Sequence, residues 1–283
     1  MNAQNKNTFI NKILLKFYRF LSKEDRVAKR TYLYNFGQMT QEIKPGDVLL
    51  VESHTRIGNI IRLISESTWT HAALYIGRID DITAPDLHEL VQKHAKNLSS
   101  DQLIIESILG EGTRVSCVDE YKNEHIRILR PSLLLPEDRE QVIASAIHKI
   151  GKNYSLRHLF DLARFIFPWS IFPRRWRSSL FQHNMLQPTE DICSSMIADV
   201  FQSVNYPILP LITKDKTGYA LIHRNPRLYT PSDFDLSPFF DVIKYPILPL
   251  SKGQTYRDLP WKKQLISDDV AVVPLIDESQ EQN

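Results

Sequence analysis

The first half of the chain alternates short apolar runs with polar breaks. DVLLVES, residues 47–53, follows Pro45-Gly46 and is too short for a helix, so it predicts a buried strand. HAALYIG (71–77) predicts a second strand, stopped by Gly77. DQLIIES (101–107), TRVSCVD (113–119) and HIRILR (125–130) predict three more. Gly110 and Gly112 turn the chain between the first two of these. Ile57, Ile60, Ile61 and Ile64 recur at helical spacing between the first two strands. Residues 85–98 predict a helix with Pro85 in its first turn, and residues 31–45 read as a connector.

The second half opens with helices. PEDREQVIASAIHKIG begins with Pro136 and an acidic first turn and ends at Gly151, the punctuation of a helix. The helical pattern continues over 154–167. DICSSMIADVFQSV, residues 191–204, predicts a helix capped by Asp191. After Pro207 the pattern is loop-rich, with a strand over 239–248 and a polar, acidic tail. Strands gathered early and helices late predict an α+β domain, an antiparallel sheet packed against helices.

Two stretches have a membrane reading beside a plain one. Ile10, Ile13, Leu14, Phe17 and Leu21 form the apolar side of a helix whose other faces carry Lys12, Lys16, Arg19 and Lys23. Such a helix packs on the body of a protein or lies in a lipid interface, with residues 9–23 making the contact. Arg164–Arg177 mixes Phe165, Phe167, Trp169, Phe172 and Trp176 with four arginines. That suits a packed helical insertion, or a lid at an interface. No run approaches the roughly 18 apolar residues of a membrane span. Nor is there a secretory signal with an uninterrupted apolar middle. The expected location is the cytoplasm, with peripheral membrane contact as the alternative.

Composition narrows the function classes. The 283 residues are 42% hydrophobic and 24% charged, with a formal net charge of +2, so no global field favours nucleic acid. Two cysteines, Cys117 and Cys193, exclude a disulfide framework. They also lack the His/Cys spacing of a zinc site, and nine scattered glycines form no phosphate-cradling loop. Neither metal nor cofactor is expected.

The candidate chemistry is that of a thiol. A cysteine nucleophile needs a lowered pKa, a base within reach and a group that orients the base. Cys193 falls in the first turn of its predicted helix, where unpaired backbone N–H groups favour an anion and suit an oxyanion hole. The plain reading of a lone cysteine is a small buried hydrophobe. His71 opens a strand directly after the polar run SESTWT, a position from which an imidazole faces a cleft. The plain reading there is a histidine satisfied by a nearby hydroxyl. Glu106 ends the apolar run LII on a neighbouring strand, where a carboxylate is costly to bury unless paired. Pairing with an imidazole N–H would satisfy it and fix the tautomer; the plain reading is a strand-edge glutamate in water. Glu111 and Glu66 are weaker alternatives. Cys117, in the alternating VSCV, is assigned to packing.

These residues occur in a recognisable order. A Gly46-Asp47-led strand and an Ile-rich helix precede S-x-x-T-H-A-A-L-Y-I-G. Then come I-I-E-S, a helix ending G-K-N-Y, and D-I-C-S-S-M-I-A. The set, over residues 44–240, resembles the permuted YiiX/YebB-like branch of the NlpC-type papain-like cysteine hydrolases. In that branch the histidine precedes the cysteine, as His71 precedes Cys193. TPSDFDLSP (230–238) also resembles the segment after the catalytic helix in that branch. The resemblance implies a circularly permuted papain-like fold, an antiparallel sheet or partial barrel packed against helices. It implies Cys193 as nucleophile, His71 as base and Glu106 as the third polar residue, with Tyr154, Trp69 and Ser194 expected at the substrate. The chain departs from the family's C-S-E with Cys193-Ser194-Ser195, and from its Asp after the tyrosine with Ser155.

The expected organisation is an N-terminal helix and connector (1–43), a catalytic domain (44–250) with an aromatic-basic insertion near 164–183, and a C-terminal extension (251–283). The expected activity is hydrolysis or acyl transfer at an amide, ester or thioester carbonyl. The permuted branch is also similar to lipid acyltransferases such as lecithin:retinol acyltransferase, and the two membrane-suited stretches lean toward an acyl or lipid substrate. The alternatives are a peptidase or amidase on peptide-like substrates, and a non-catalytic membrane- or partner-binding module.

Overall fold

The computed structural model describes residues 35–152, 193–245 and 255–261, apart from short breaks at 54, 56–57, 60, 63–65, 96–97, 109–110 and 216–217. The N-terminal amphipathic stretch, Tyr154, the insertion near 164–183, the Asp191 cap and most of the C-terminal extension lie outside the described residues.

Six strands form one antiparallel sheet: β1 (Val48–Glu52), β2 (His71–Arg78), β3 (Gln102–Ile108), β4 (Gly112–Cys117), β5 (His125–Pro131) and β8 (Phe240–Ile243). Their order is β4-β3-β2-β1-β5-β8, so β1 and β2 are central and β4 and β8 end the sheet. The fold is α+β, as expected. The early strands match their apolar runs within a residue or two. β1 is buried at every position, which is why its run is continuous rather than alternating.

Alternation sorts the strand residues onto two faces. Leu50, Ala72, Leu74, Ile76, Leu103 and Ile105 face one way. They are covered by α2 (Pro85–Ala95), α3 (Pro136–Ile147) and α4 (Cys193–Gln202) through Val91, Ile147, Met196, Ile197, Val200 and Phe201. Leu49, Ala73, Tyr75, Ile104 and Ile128 face the other way, against Met39 and Ile43. Met39 belongs to α1 (Phe36–Glu42), a short helix within the expected connector. Asn35 caps it, accepting from the N–H of Gln38. Removing each large apolar side chain from water contributes about 1.5–3 kcal/mol, so the two clusters dominate the fold's stability.

Local chemistry fixes the ends of the elements. Pro136 starts α3 with Glu137 and Asp138 in its first turn. Gly151, at φ 81°, turns the chain back, and its N–H donates to the Thr113 carbonyl of β4. Gly77 has φ 92°, and a Cβ there would lie 2.9 Å from Asp81 Oδ2 and 3.0 Å from Pro45 Cγ. Glycine therefore lets β2 bulge past the turn that leads into β1. Asp47, 1% exposed, holds the same corner. It accepts from Arg130 Nε at 3.0 Å and Nη2 at 2.8 Å, tying the start of β1 to the end of β5.

The loop-rich reading after Pro207 needs correction. A two-stranded ribbon, β6 (Leu211–Asp215) and β7 (Gly218–Ile222), stands there, followed by the short helix α5 (Pro231–Leu236). Leu211, Ile212, Tyr219, Leu221 and Ile222 of the ribbon are all at least half exposed. A cavity of about 250 Å³ lies between the ribbon and the C-terminal end of α4, lined in part by Gln202, Tyr206, Ile208 and Leu221. The strand over 239–248 shortens to Phe240–Ile243. Among the described residues no helix is long and apolar enough to cross a membrane.

Candidate active site

The site forms where one end of the sheet meets the start of α4. His71 is the first residue of β2 and pairs with Val51 of β1. Its place is fixed by Thr70, whose N–H and hydroxyl both donate to the Val51 carbonyl while its Oγ1 accepts from the N–H of Ser53. Strand parity puts His71 on the face of Ala73 and Tyr75, and Glu106 of β3 on the face of Ile104. Their side chains therefore meet: His71 Nε2 lies 2.8 Å from Glu106 Oε2.

Glu106 is fully buried yet richly supplied with donors. Oε2 also accepts from the Tyr121 hydroxyl, in the turn after β4. Oε1 accepts from the Ser116 hydroxyl and from Arg114, at 3.1 Å from Nε and 3.0 Å from Nη2. Burial pushes the carboxyl up, but His71, Arg114 and Ser116 outweigh it and hold it at about 2. Glu106 is thus an anion and an acceptor only, so the His71 ring carries its proton on Nε2.

That leaves Nδ1 of His71 for the thiol of Cys193, the first residue of α4, whose helix packs on β2 and β3. The two groups act on each other electrostatically: the Cys193 anion raises His71, and the His71 charge lowers Cys193. Burial pushes the Cys193 thiol up, but the His71 charge and hydrogen bond and the backbone N–H groups of Ala72 and Ser194 outweigh it, so the thiol is lowered from 9.0. Burial would lower His71; the Cys193 and Glu106 anions instead raise it to about 10. The pair therefore favours thiolate and imidazolium. Cys193 is 4% exposed, while the His71 side chain is 16% exposed and reaches solvent.

Of the other expected residues, Trp69 is 3% exposed and donates from Nε1 to Asp235 Oδ2 at 3.0 Å. Its ring lies under the Arg127 guanidinium at 4.7 Å and beside His125 at 5.2 Å. Ser194 is buried, and its hydroxyl donates to the Tyr229 carbonyl at 2.6 Å. Cys117 is buried in β4, as assigned, beside the Ser99 hydroxyl at 3.3 Å. Glu111 pairs with Arg114 rather than with His71, and Glu66 is exposed with φ 49°. Among the described residues no group of three His, Cys, Asp or Glu could hold a metal ion.

Sequence reasoning carries Thr70 only as a letter of the S-x-x-T-H motif, with no role, and does not single out Arg114, Ser116 or Tyr121. The signal for Arg114 and Ser116 is parity: Thr113 to Cys117 alternates, and only the register Glu106↔Arg114 reveals what one face touches.

A family model of permuted papain-like amidase enzymes (YaeF/YiiX, C92 family) matches residues 42–165, the stretch that holds His71 and Glu106. Over this stretch the chain is similar to that family. The expected resemblance and the permuted papain-like architecture stand, and the activity attached to the family is that of an amidase. The chain is also similar to the crystal structure of the metalloprotein YiiX from Escherichia coli O157:H7. That match has a TM-score of 0.42 and 14% identity, covering 71% of this chain and 96% of that one. No curated protein matches the chain.

Proposed function

We propose that the protein is a thiol-dependent amidase acting on amide carbonyls of peptide-like substrates, with Cys193 as nucleophile, His71 as acid and base, and Glu106 orienting His71. The observation that carries this reading is the His71 imidazole held at 2.8 Å by the buried Glu106 carboxylate, with the Cys193 thiol at the start of α4 lowered by the same imidazole. The family's amidase activity supports an amide over a lipid ester. The stretches that leaned toward lipid, 9–23 and 164–177, lie outside the described residues.

In this mechanism the Cys193 thiolate attacks the amide carbon, and the first-turn N–H groups of α4 stabilise the oxyanion. His71 delivers its Nδ1 proton to the nitrogen as the C–N bond breaks, and the amine leaves. His71 then takes a proton from water, the hydroxide oxygen attacks the thioester, and the C–S bond breaks. The acid departs, and thiolate and imidazolium are restored. Throughout, Glu106 holds Nε2–H and keeps Nδ1 aimed at the sulfur.

The test is a panel of N-acyl amides, peptide amides, esters and thioesters, with Cys193→Ala as control. Amide turnover that vanishes in the variant supports the proposal. Turnover of esters or thioesters alone favours the acyl-transfer reading. No turnover of any class, with a fully folded protein, favours a non-catalytic binding module.

A further inference from the structure

We infer that Arg114 is a positioning residue that acts through Glu106 on the His71–Cys193 pair. The inference rests on the function proposed above and adds a residue outside the line of three. Arg114 lies directly across from Glu106 in the β3–β4 register, so its side chain stands on the same face. Its Nε and Nη2 both donate to Oε1, the oxygen that His71 does not use. Oε2 is left to His71 and Tyr121, and the Tyr121 ring lies 5.8 Å from the imidazole. The guanidinium thus clamps one side of the carboxylate and fixes the direction of the other.

Arg114 also brings the only arginine or lysine ion pair that reaches Glu106 among the described residues. The groups around the carboxylate are His71 from β2, Arg114 and Ser116 from β4, and Tyr121 from the turn beyond. The Cys193 thiol acts on the same cluster through His71. Burial of Tyr121, with Glu106 beside it, keeps its hydroxyl a neutral donor. Without Arg114, the thiolate, the imidazolium and the carboxylate would form a buried cluster with a net negative charge. Such a cluster takes up a proton more readily, and the proton goes to sulfur. Arg114 is itself tethered outward, to Glu111 at 3.1 Å and Glu120 at 2.7 Å, so these two surface carboxylates draw on the same guanidinium. The geometry carries a field from the surface to the sulfur through Arg114 and Glu106.

The experiment follows the rate of Cys193 alkylation by iodoacetamide between pH 4 and 9 on the full chain. Alkylation is read by mass spectrometry with Cys117 as internal reference, and folding by thermal melting. Arg114→Met is expected to move the acid limb upward by about one pH unit or more. Arg114→Lys, which keeps the charge but not the fork, recovers part of that shift. Glu120→Gln, which removes a negative charge, moves the limb the opposite way. Folded Arg114→Met with an unmoved limb overturns the inference. If Arg114→Met does not fold, the sign of the Glu120→Gln shift decides: downward supports the inference, and unmoved or upward overturns it. A wild-type Cys193 with no early limb contradicts the proposed function itself, whereas a wild-type limb that ignores these variants contradicts only the role of Arg114.

Discussion

His71 donates from Nε2 to the Oε2 of Glu106 at 2.8 Å, and this single contact sets the direction of everything else at the site. It fixes the tautomer, because an ionised carboxylate only accepts. It also leaves the other ring nitrogen as the one available to Cys193, the first residue of α4 (Cys193–Gln202), whose charge raises His71.

Glu106→Gln tests that contact. The amide can accept from His71, but it brings an N–H₂ group among the Arg114, Ser116 and Tyr121 donors and removes the carboxylate they share. Breaking such a buried charged network costs about 3–5 kcal/mol. We expect a corresponding loss in urea denaturation and amide turnover lower by roughly 10²-fold or more. The native contribution has the sign of the shift. Glu106 is held at about 2 against an ordinary 4.5, so its stabilisation is complete above about pH 4.5 and is lost as pH falls toward 2. The variant should flatten that part of the stability curve.

Turnover should trace a bell in pH, with limbs that belong to the pair rather than to either residue. The acid limb reports thiolate formation and should lie below the ordinary cysteine range, since Cys193 is lowered from 9.0. The alkaline limb reports loss of the imidazolium proton and should lie at about 10, the value to which the Cys193 and Glu106 anions raise His71. The proton for the leaving amine is available only below that limb. Initial rates of amide hydrolysis from about pH 4 to about pH 11 check both.

Asp235 joins the far end of the chain to the strand ends beside the site. It accepts from Trp69 Nε1 at 3.0 Å and from Arg127 Nη1 at 2.7 and 2.8 Å. Asp235→Ala leaves the indole N–H of a 3%-exposed tryptophan without its acceptor. A stability loss of about 1–3 kcal/mol is expected in urea denaturation, with Cys193 alkylation much less affected than in His71→Ala.

Buried strands announce themselves in sequence, so Val48–Val51 and Ala72–Ile76 read directly as apolar runs. The β6–β7 ribbon (Leu211–Asp215 with Gly218–Ile222) was hidden because its apolar residues are exposed and punctuated by Lys214, Asp215 and Lys216, which reads as loop. His71, Glu106 and Cys193 stood out as chemically costly residues at element ends. Arg114, Ser116 and Tyr121 did not, since a strand arginine or a turn tyrosine is ordinary until cross-strand register shows which carboxylate it faces. Thr70 stands in the S-x-x-T-H motif, but its role is not legible there; its hydroxyl matters because β1 (Val48–Glu52) ends beside it.

The most direct measurement is the alkylation of the two cysteines by iodoacetamide near pH 6, in the wild type and in His71→Ala. The account predicts fast, selective modification of Cys193, with Cys117 untouched, and loss of that selectivity in the variant. Equal and slow modification of both cysteines, or a Cys193 rate indifferent to His71, would contradict it.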